Sequence, residues 1–190
     1  MPTPVDKQAE STVWITPPHI WRPLSEAVGG FDLDPCTEPS NPTEARRFYT
    51  EADDGLARPW SSESWRSRVW VNPPYGRDYQ KWAAKIAHEA SALVPFRDDG
   101  LHMALTIIAL LPANRTETAY MHDLFAHDRL RAVCYVRKRV GFLRPDGSRA
   151  KSNVYASSIL VFGECSSKLM SALRGLGVVF RGPADKQEIQ

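Results

Sequence analysis

Residues 68–76 read Arg-Val-Trp-Val-Asn-Pro-Pro-Tyr-Gly. Val69, Trp70 and Val71 are strong β-formers, and the two successive prolines that follow remove the backbone donors a ladder needs. A strand over 68–71 must therefore end in a stiff turn at Asn72. Beyond that turn Tyr79, Trp82, Ile86, Ala90 and Leu93 recur three or four apart, which predicts a helix with one buried face. A strand, a rigid polar turn and an amphipathic helix in succession make one unit of an α/β sheet.

The same pattern repeats on either side. Thr16-Pro17-Pro18 predicts an N-cap followed by proline where a missing N–H costs nothing, with Ile20, Leu24 and Val28 at helical spacing, a kink at Pro23 and a stop at Gly29-Gly30. Phe31 to Asp34 alternates apolar and acidic residues and meets Pro35, a short strand running into the loop Cys36–Pro42. Met103 to Leu111 is a near-continuous apolar run, the pattern of a strand covered on both faces and closed by Pro112. Asn114 and Glu117 resemble a capping box ahead of a helix bearing Tyr120, Leu124 and Phe125. Later strands are expected over 132–136, 154–162 and 178–180, a helix over 167–173, and a hairpin turn at Asp146-Gly147.

These elements predict a twisted α/β sheet, parallel at first and antiparallel at one edge, with one folded unit over 13–181 and flexible ends at 1–12 and 182–190. In such sheets ligands sit beyond the carboxyl ends of the strands. Asp32-Leu33-Asp34-Pro35 and Asn72-Pro73-Pro74-Tyr75 both fall there.

The composition fits a folded globular chain: 190 residues, 43% hydrophobic, 24% charged and 10% aromatic. The net charge of +2 conceals an uneven distribution. Residues 1–64 carry 11 acids against 5 bases, whereas 129–151 carry 8 bases against Asp146 alone. The basic stretch is a candidate anion-binding surface. Three cysteines with no C-x-x-C pair argue against a disulfide scaffold or zinc ribbon and suggest a reducing, cytoplasmic setting. No apolar stretch is long enough to span a bilayer as a helix, and no membrane partner is expected.

Asn-Pro-Pro-Tyr suits one chemistry in particular. An exocyclic amine on a planar ring is a poor nucleophile because its lone pair is delocalised, and two acceptors in a rigid fork can hold both N–H groups and free that pair. The Asn72 side-chain oxygen and the Pro73 carbonyl supply such a fork, the prolines restrain it, and Tyr75 offers a stacking face.

Several strings together, W-x-T-P-P near residue 14, FDLDPC, FYTEADDGLARPW, VNPPYG, LLPANRTET and RVGF, resemble in that order the phage-type DNA N-6-adenine methyltransferases, over roughly residues 13–163. The resemblance implies a Rossmann-like class I methyltransferase fold, a mixed twisted sheet with helices on both faces. It implies S-adenosylmethionine as cofactor, duplex DNA as partner, a phage or prophage origin with action in the host cytoplasm, and no metal. It also implies roles for particular residues. Asn72, Pro73, Pro74 and Tyr75 resemble the motif that receives the flipped adenine. Thr16 and Pro17 resemble the segment beside the cofactor's methionine end. Asp32, Asp34, Pro35 and Cys36 resemble the first cofactor-binding strand and loop, although Cys36–Asn41 replaces the usual glycine-rich turn. Asp54 resembles the acceptor for the cofactor's adenine. Phe142 resembles the aromatic on the far face of the extruded base. Arg137, Lys138 and Arg139 are candidates to follow phosphates, Arg115 to contact the target strand, and Asn153 to lie near the pocket.

Other functions fit parts of the chain. His122 and His127 in HDLFAHD suggest a metal phosphohydrolase, but residues five apart on a helix do not share a face. The same fork suits an RNA adenine or a protein glutamine amide, and the fold alone would serve a DNA-binding module without turnover. Residues 95–100 and 143–153 are candidate recognition loops.

Overall fold

The computed structural model describes residues 14–61, 66–74, 76, 78–91, 104–150 and 155–183. Helix α1 spans Pro18–Val28, followed by β1 (Leu33–Asp34), β2 (Arg47–Phe48), a 3-10 turn at Glu51–Asp53 and β3 (Arg66–Val71). Then come α2 (Tyr79–Ser91), β4 (Ala104–Pro112), α3 (Ala119–Ala126), β5 (Leu130–Val136), β6 (Ser157–Gly163), α4 (Ser167–Leu176) and β7 (Gly177–Arg181).

The strands form one sheet in the order β2-β1-β3-β4-β6-β5-β7. Strands β1 to β4 are mutually parallel, β6 is antiparallel to both β4 and β5, and β7 is antiparallel to β5. This mixed sheet flanked by helices is consistent with a Rossmann-like methyltransferase fold. The sheet is parallel at first and antiparallel toward one edge, as expected, but strand order departs from chain order there, because β6 inserts between β4 and β5. Strand order follows from long-range pairing, which the local sequence does not encode.

Alternation along the strands sorts side chains into two cores. Val69, Val71, Ile107, Ala109 and Leu111 face Trp82, Ile86, Met121 and Leu124 of α2 and α3. Trp70, Ile108, Leu110, Ile159 and Val161 face Ile20, Trp21 and Leu24 of α1 and Leu169 and Leu173 of α4. Every residue from Ser157 to Gly163 is buried, as expected of a central strand covered on both faces.

Helix starts differ from the sequence reading. The N-cap of α1 is Pro17, with Pro18 at the first helical position, and the Thr16 hydroxyl is buried with no hydrogen-bond partner among the described residues. Helix α3 begins after Thr118, so Asn114 and Glu117 do not form its capping box. Thr118 Oγ1 donates instead to the Arg115 carbonyl at 2.7 Å, closing the preceding turn. Pro112 does not lie beyond β4 but is its last residue, paired with Ser157. Asp146-Gly147 does form a turn: Gly147 has φ +81°, Arg144 N–H donates to Ser148 O at 2.8 Å, and Leu143 bridges Arg149. No helix among the described residues is long and apolar enough to cross a membrane.

Candidate active site

Strands β1, β3 and β4 end on the same side of the sheet, at Asp34, Val71 and Pro112. Asn72 follows β3 directly and is half-buried. Its Nδ2 donates to the Trp14 carbonyl at 2.8 Å, while its Oδ1 is buried with no partner among the described residues. A carbonyl only accepts, so this bond decides which end of the amide is which. A buried acceptor left unsatisfied costs about 1–3 kcal/mol, which marks this oxygen out from the paired polar groups around it. Pro73 is buried and Pro74 exposed; Tyr75 lies outside the described residues.

A cavity of about 270 Å³ opens beside Asn72, Pro73 and Pro74. Trp14, Leu56 and Trp82 give it flat apolar walls, and Pro35, Cys36 and Thr37 close the end nearest β1. Its charged lining residues are Glu38, Glu51, Asp54 and Asp78, with no Lys or Arg among the described lining residues. Such walls repel phosphates and suit a ligand with net positive charge and a planar ring.

The turn bearing Asp54 is built by close approach. A Cβ on Gly55 would lie 1.9 Å from the Pro35 carbonyl oxygen, so only glycine lets the two loops meet. Trp60 Nε1 donates to the Gly55 carbonyl at 2.9 Å, tying the turn to the core. Asp54 sits at φ +53°, its Oδ1 accepts the Leu56 N–H at 3.2 Å, and the residue lines the cavity. Gly55→Ala is expected to separate the loops, costing about 1–3 kcal/mol of stability and weakening whatever ligand the cavity binds. Thermal melts and titration calorimetry check both.

Asp34 is buried behind this wall. Thr43 Oγ1 donates to its Oδ2 at 2.7 Å and the Cys36 N–H to its Oδ1 at 3.3 Å. It lines a small cavity of about 30 Å³ together with Thr16, Cys36, Thr43 and Asn72. Burial pushes its carboxyl up to about 6 despite these hydrogen bonds. A carboxyl that holds its proton more tightly folded than unfolded contributes stability fully below pH ~4 and loses it as pH rises through ~6. The loss is about 3 kcal/mol at most. Urea unfolding of wild type and Asp34→Asn from pH 4 to 7 is expected to show the wild type declining relative to the variant across that window. Burial, and secondarily the Asp34 carboxylate, push the Cys36 thiol well above its ordinary range, so Cys36 is a neutral wall.

Asp32, expected beside the cofactor, lines none of these cavities and is engaged by Arg68 instead. Its carboxylate accepts from the Arg68 backbone N–H (3.0 Å), Nε (2.7 Å) and Nη2 (2.9 Å), with Arg46 at 3.6 Å. Arg68 Nη1 donates onward to the carbonyls of Val28 and Gly29 at the end of α1. The pair fastens α1 to β3, and the carboxylate's lone pairs are already engaged. Thr16 and Pro17 are both buried; Thr16 reaches only the small cavity, and the residue of that segment at the larger one is Trp14.

A second cavity, about 340 Å³, lies beyond the ends of β3 and β4, lined by Gly76, Tyr79, Gln80, Pro112, Asn114, Arg115, Tyr120 and Tyr155. Aromatic walls, amides and an arginine suit a nucleobase and phosphate. Arg115 is exposed there, as are Arg137, Lys138 and Arg139 beyond β5. Phe142 offers no face to a base. It is 1% exposed and packs edge-to-face under Trp14 at 5.5 Å between ring centres, because its segment turns inward onto the α1 side of the sheet. Asn153 lies outside the described residues. His127 is occupied in joining elements, contacting Ser91 Oγ at 3.0 Å and the Ala87 carbonyl at 3.2 Å.

Trp14, Glu38, Tyr120 and Tyr155 line the cavities without having been singled out as site residues. Trp14 stands in the W-x-T-P-P string and was the one open to recognition; the tyrosines read as ordinary helix or loop aromatics until the fold gathers them.

The chain matches a family described as DNA N-6-adenine-methyltransferase (Dam) over residues 4–179. No curated protein matches it. Among solved structures it is similar to protein LPL1258 from Legionella pneumophila strain Philadelphia 1, with 10% identity and a TM-score of 0.44 over 77% of this chain and 55% of that one. The chain thus spans little more than half the length of that protein.

Proposed function

The chain belongs to the DNA N-6-adenine-methyltransferase (Dam) family, and from that premise we propose that it transfers a methyl group from S-adenosylmethionine to adenine N6 in duplex DNA, with the target base flipped out of the helix. The observation that carries this reading is the Asn72 amide, anchored through Nδ2 to Trp14 with Oδ1 buried and without a partner among the described residues, beside a cavity.

S-adenosylmethionine fits the 270 Å³ cavity by charge: the ligand carries ammonium and sulfonium groups, and Glu38, Glu51, Asp54 and Asp78 are the charged residues around it. Trp14, Leu56 and Trp82 offer the apolar surface that a purine and ribose need, and the Asp54 carboxylate accepts from the cofactor's exocyclic amine. When bound, S-adenosylmethionine would supply an electrophilic methyl group for in-line attack by N6, the methyl–sulfur bond breaking with its electron pair going to sulfur and S-adenosylhomocysteine leaving.

The chain's own groups do the rest. Asn72 Oδ1 accepts one N6–H and the Pro73 carbonyl the other, stabilising the positive charge that develops on N6 as its lone pair is committed to the new bond. The proton then leaves N6 for solvent. Tyr75 stacks on the base, whose N6 edge meets the fork at the rim of the 270 Å³ cavity, and the neighbouring cavity lined by Tyr79, Tyr120 and Tyr155 takes the remainder of the nucleotide. Arg115, with Arg137 to Arg139 as an electrostatic border, neutralises DNA phosphates. The folded unit is residues 13–181, acting in the cytoplasm of a host cell.

The test is transfer of labelled methyl from S-adenosylmethionine to unmethylated duplex DNA, with RNA and protein offered in parallel and nucleosides separated after digestion. N6-methyladenine in the DNA is expected. Label in RNA or protein alone would keep the fork and overturn the substrate, and label nowhere would favour a binding module.

A further inference from the structure

The Asn72 amide presents its oxygen only if something holds its nitrogen, and that anchor is a backbone carbonyl, Trp14 O, outside β3. Ile15, the next residue, exchanges both backbone hydrogen bonds with Leu143, each 2.9 Å. Leu143 in turn bridges Arg149, and the Ala150 N–H donates to Phe142 O at 2.9 Å, so the partner of residues 14–15 is a closed hairpin. The Trp14 ring rests edge-to-face on Phe142. The amide, the carbonyl, the ring and the hairpin form a continuous chain of contacts.

We propose that Phe142 and Leu143 are positioning residues for methyl transfer: they lock residues 14–15 against the hairpin and so fix the orientation in which Asn72 offers its Oδ1. The proposal rests on reading Asn72 as the acceptor for the target amine. Phe142 is buried and is not among the residues that line any of the three cavities. Its influence on turnover therefore passes through Trp14. Small displacements of a catalytic group are costly because the reacting geometry is narrow, whereas cofactor binding, spread over many walls of the cavity, tolerates them.

The test compares Phe142→Leu with Leu169→Ala, a truncation in the same core cluster but on α4. Phe142→Leu is expected to slow single-turnover methyl transfer on the order of tenfold and to leave the KM for S-adenosylmethionine within about twofold. Leu169→Ala is expected to lower the melting temperature at least as much and leave the rate unchanged. A second readout needs no turnover: in nitrogen-15-labelled protein the hydrogen-bonded Nδ2 proton of Asn72 should exchange slowly in wild type and roughly tenfold faster in Phe142→Leu. Wild-type rate and exchange in Phe142→Leu, or an equal loss of rate in Leu169→Ala, overturns the proposal. Wild-type turnover in Asn72→Ala overturns the reading of Asn72 itself, and the exchange measurement still decides whether Phe142 holds the amide.

Discussion

Asn72→Ala is expected to lower methyl transfer on the order of 10²–10³-fold, the usual cost of deleting one preorganised polar group aimed at developing charge. Cofactor affinity should change little, because Asn72 is one of many residues around the 270 Å³ cavity and its oxygen carries no bond to another described residue. Stability should hardly fall. The variant loses the bond from Nδ2 to Trp14 O but also removes a buried acceptor without a partner among the described residues, and these two terms oppose each other. Asn72→Asp separates the contributions further: it keeps an acceptor oxygen but turns a second oxygen toward the Trp14 carbonyl, where only a donor is tolerated, so it should be both slow and less stable. Single-turnover kinetics, calorimetric titration of the cofactor and thermal melts together check the set. An Asn72→Ala protein that transfers methyl groups at the wild-type rate would remove the fork from the mechanism.

Arg68→Ala is expected to destabilise the fold by about 3–5 kcal/mol, because it leaves the enclosed Asp32 carboxylate without its principal partner. The Asp32 side chain is 10% exposed and that of Arg68 20%, so water replaces little of what is lost. The substitution also strips the donor from the Val28 and Gly29 carbonyls, where α1 ends in a left-handed Gly29 at φ +82°. Arg68→Lys should recover only part of the loss, since an ammonium cannot reproduce the fork that reaches both carboxylate oxygens. Urea unfolding gives the magnitude. Asp32→Asn should likewise lose stability while cofactor affinity, measured well below the melting temperature, stays within about twofold. A large specific loss of affinity in that variant would restore Asp32 to the cofactor site.

The contrast between Asp32 and Asp34 shows where local sequence stops being informative. Asp32 precedes the two-residue strand β1 and Asp34 ends it, and both resemble a cofactor-binding motif. Side chains two apart on a strand share a face, so alternation gives no reason to separate them. What separates them is Arg68, 36 positions away, which engages one, and Thr43, which engages the other. Phe142 carries the same lesson. A phenylalanine among basic residues reads equally as a stacking platform or as core, and its position beneath Trp14 depends on the Ile15–Leu143 bridge, a contact across 128 residues.

The sequence by itself determined the elements and their kinds. Apolar alternation and three-to-four spacing placed β3, α2, β4, β5 and α4, because these periods reflect which side of a strand or helix meets water. It also determined the chemistry of the turn after β3, since two prolines following an asparagine restrict the backbone whatever surrounds them. Gly55 and Trp60 stood in a quoted string, but only the fold showed that Pro35 and the Gly55 carbonyl are what they meet. The tertiary structure alone decided that β6 enters the middle of the sheet, that Asp32 is an ion-pair partner, and that Trp14 orients Asn72. Each of these is a pairing between distant segments, selected by burial and hydrogen-bond satisfaction over the whole molecule, and no local period records it.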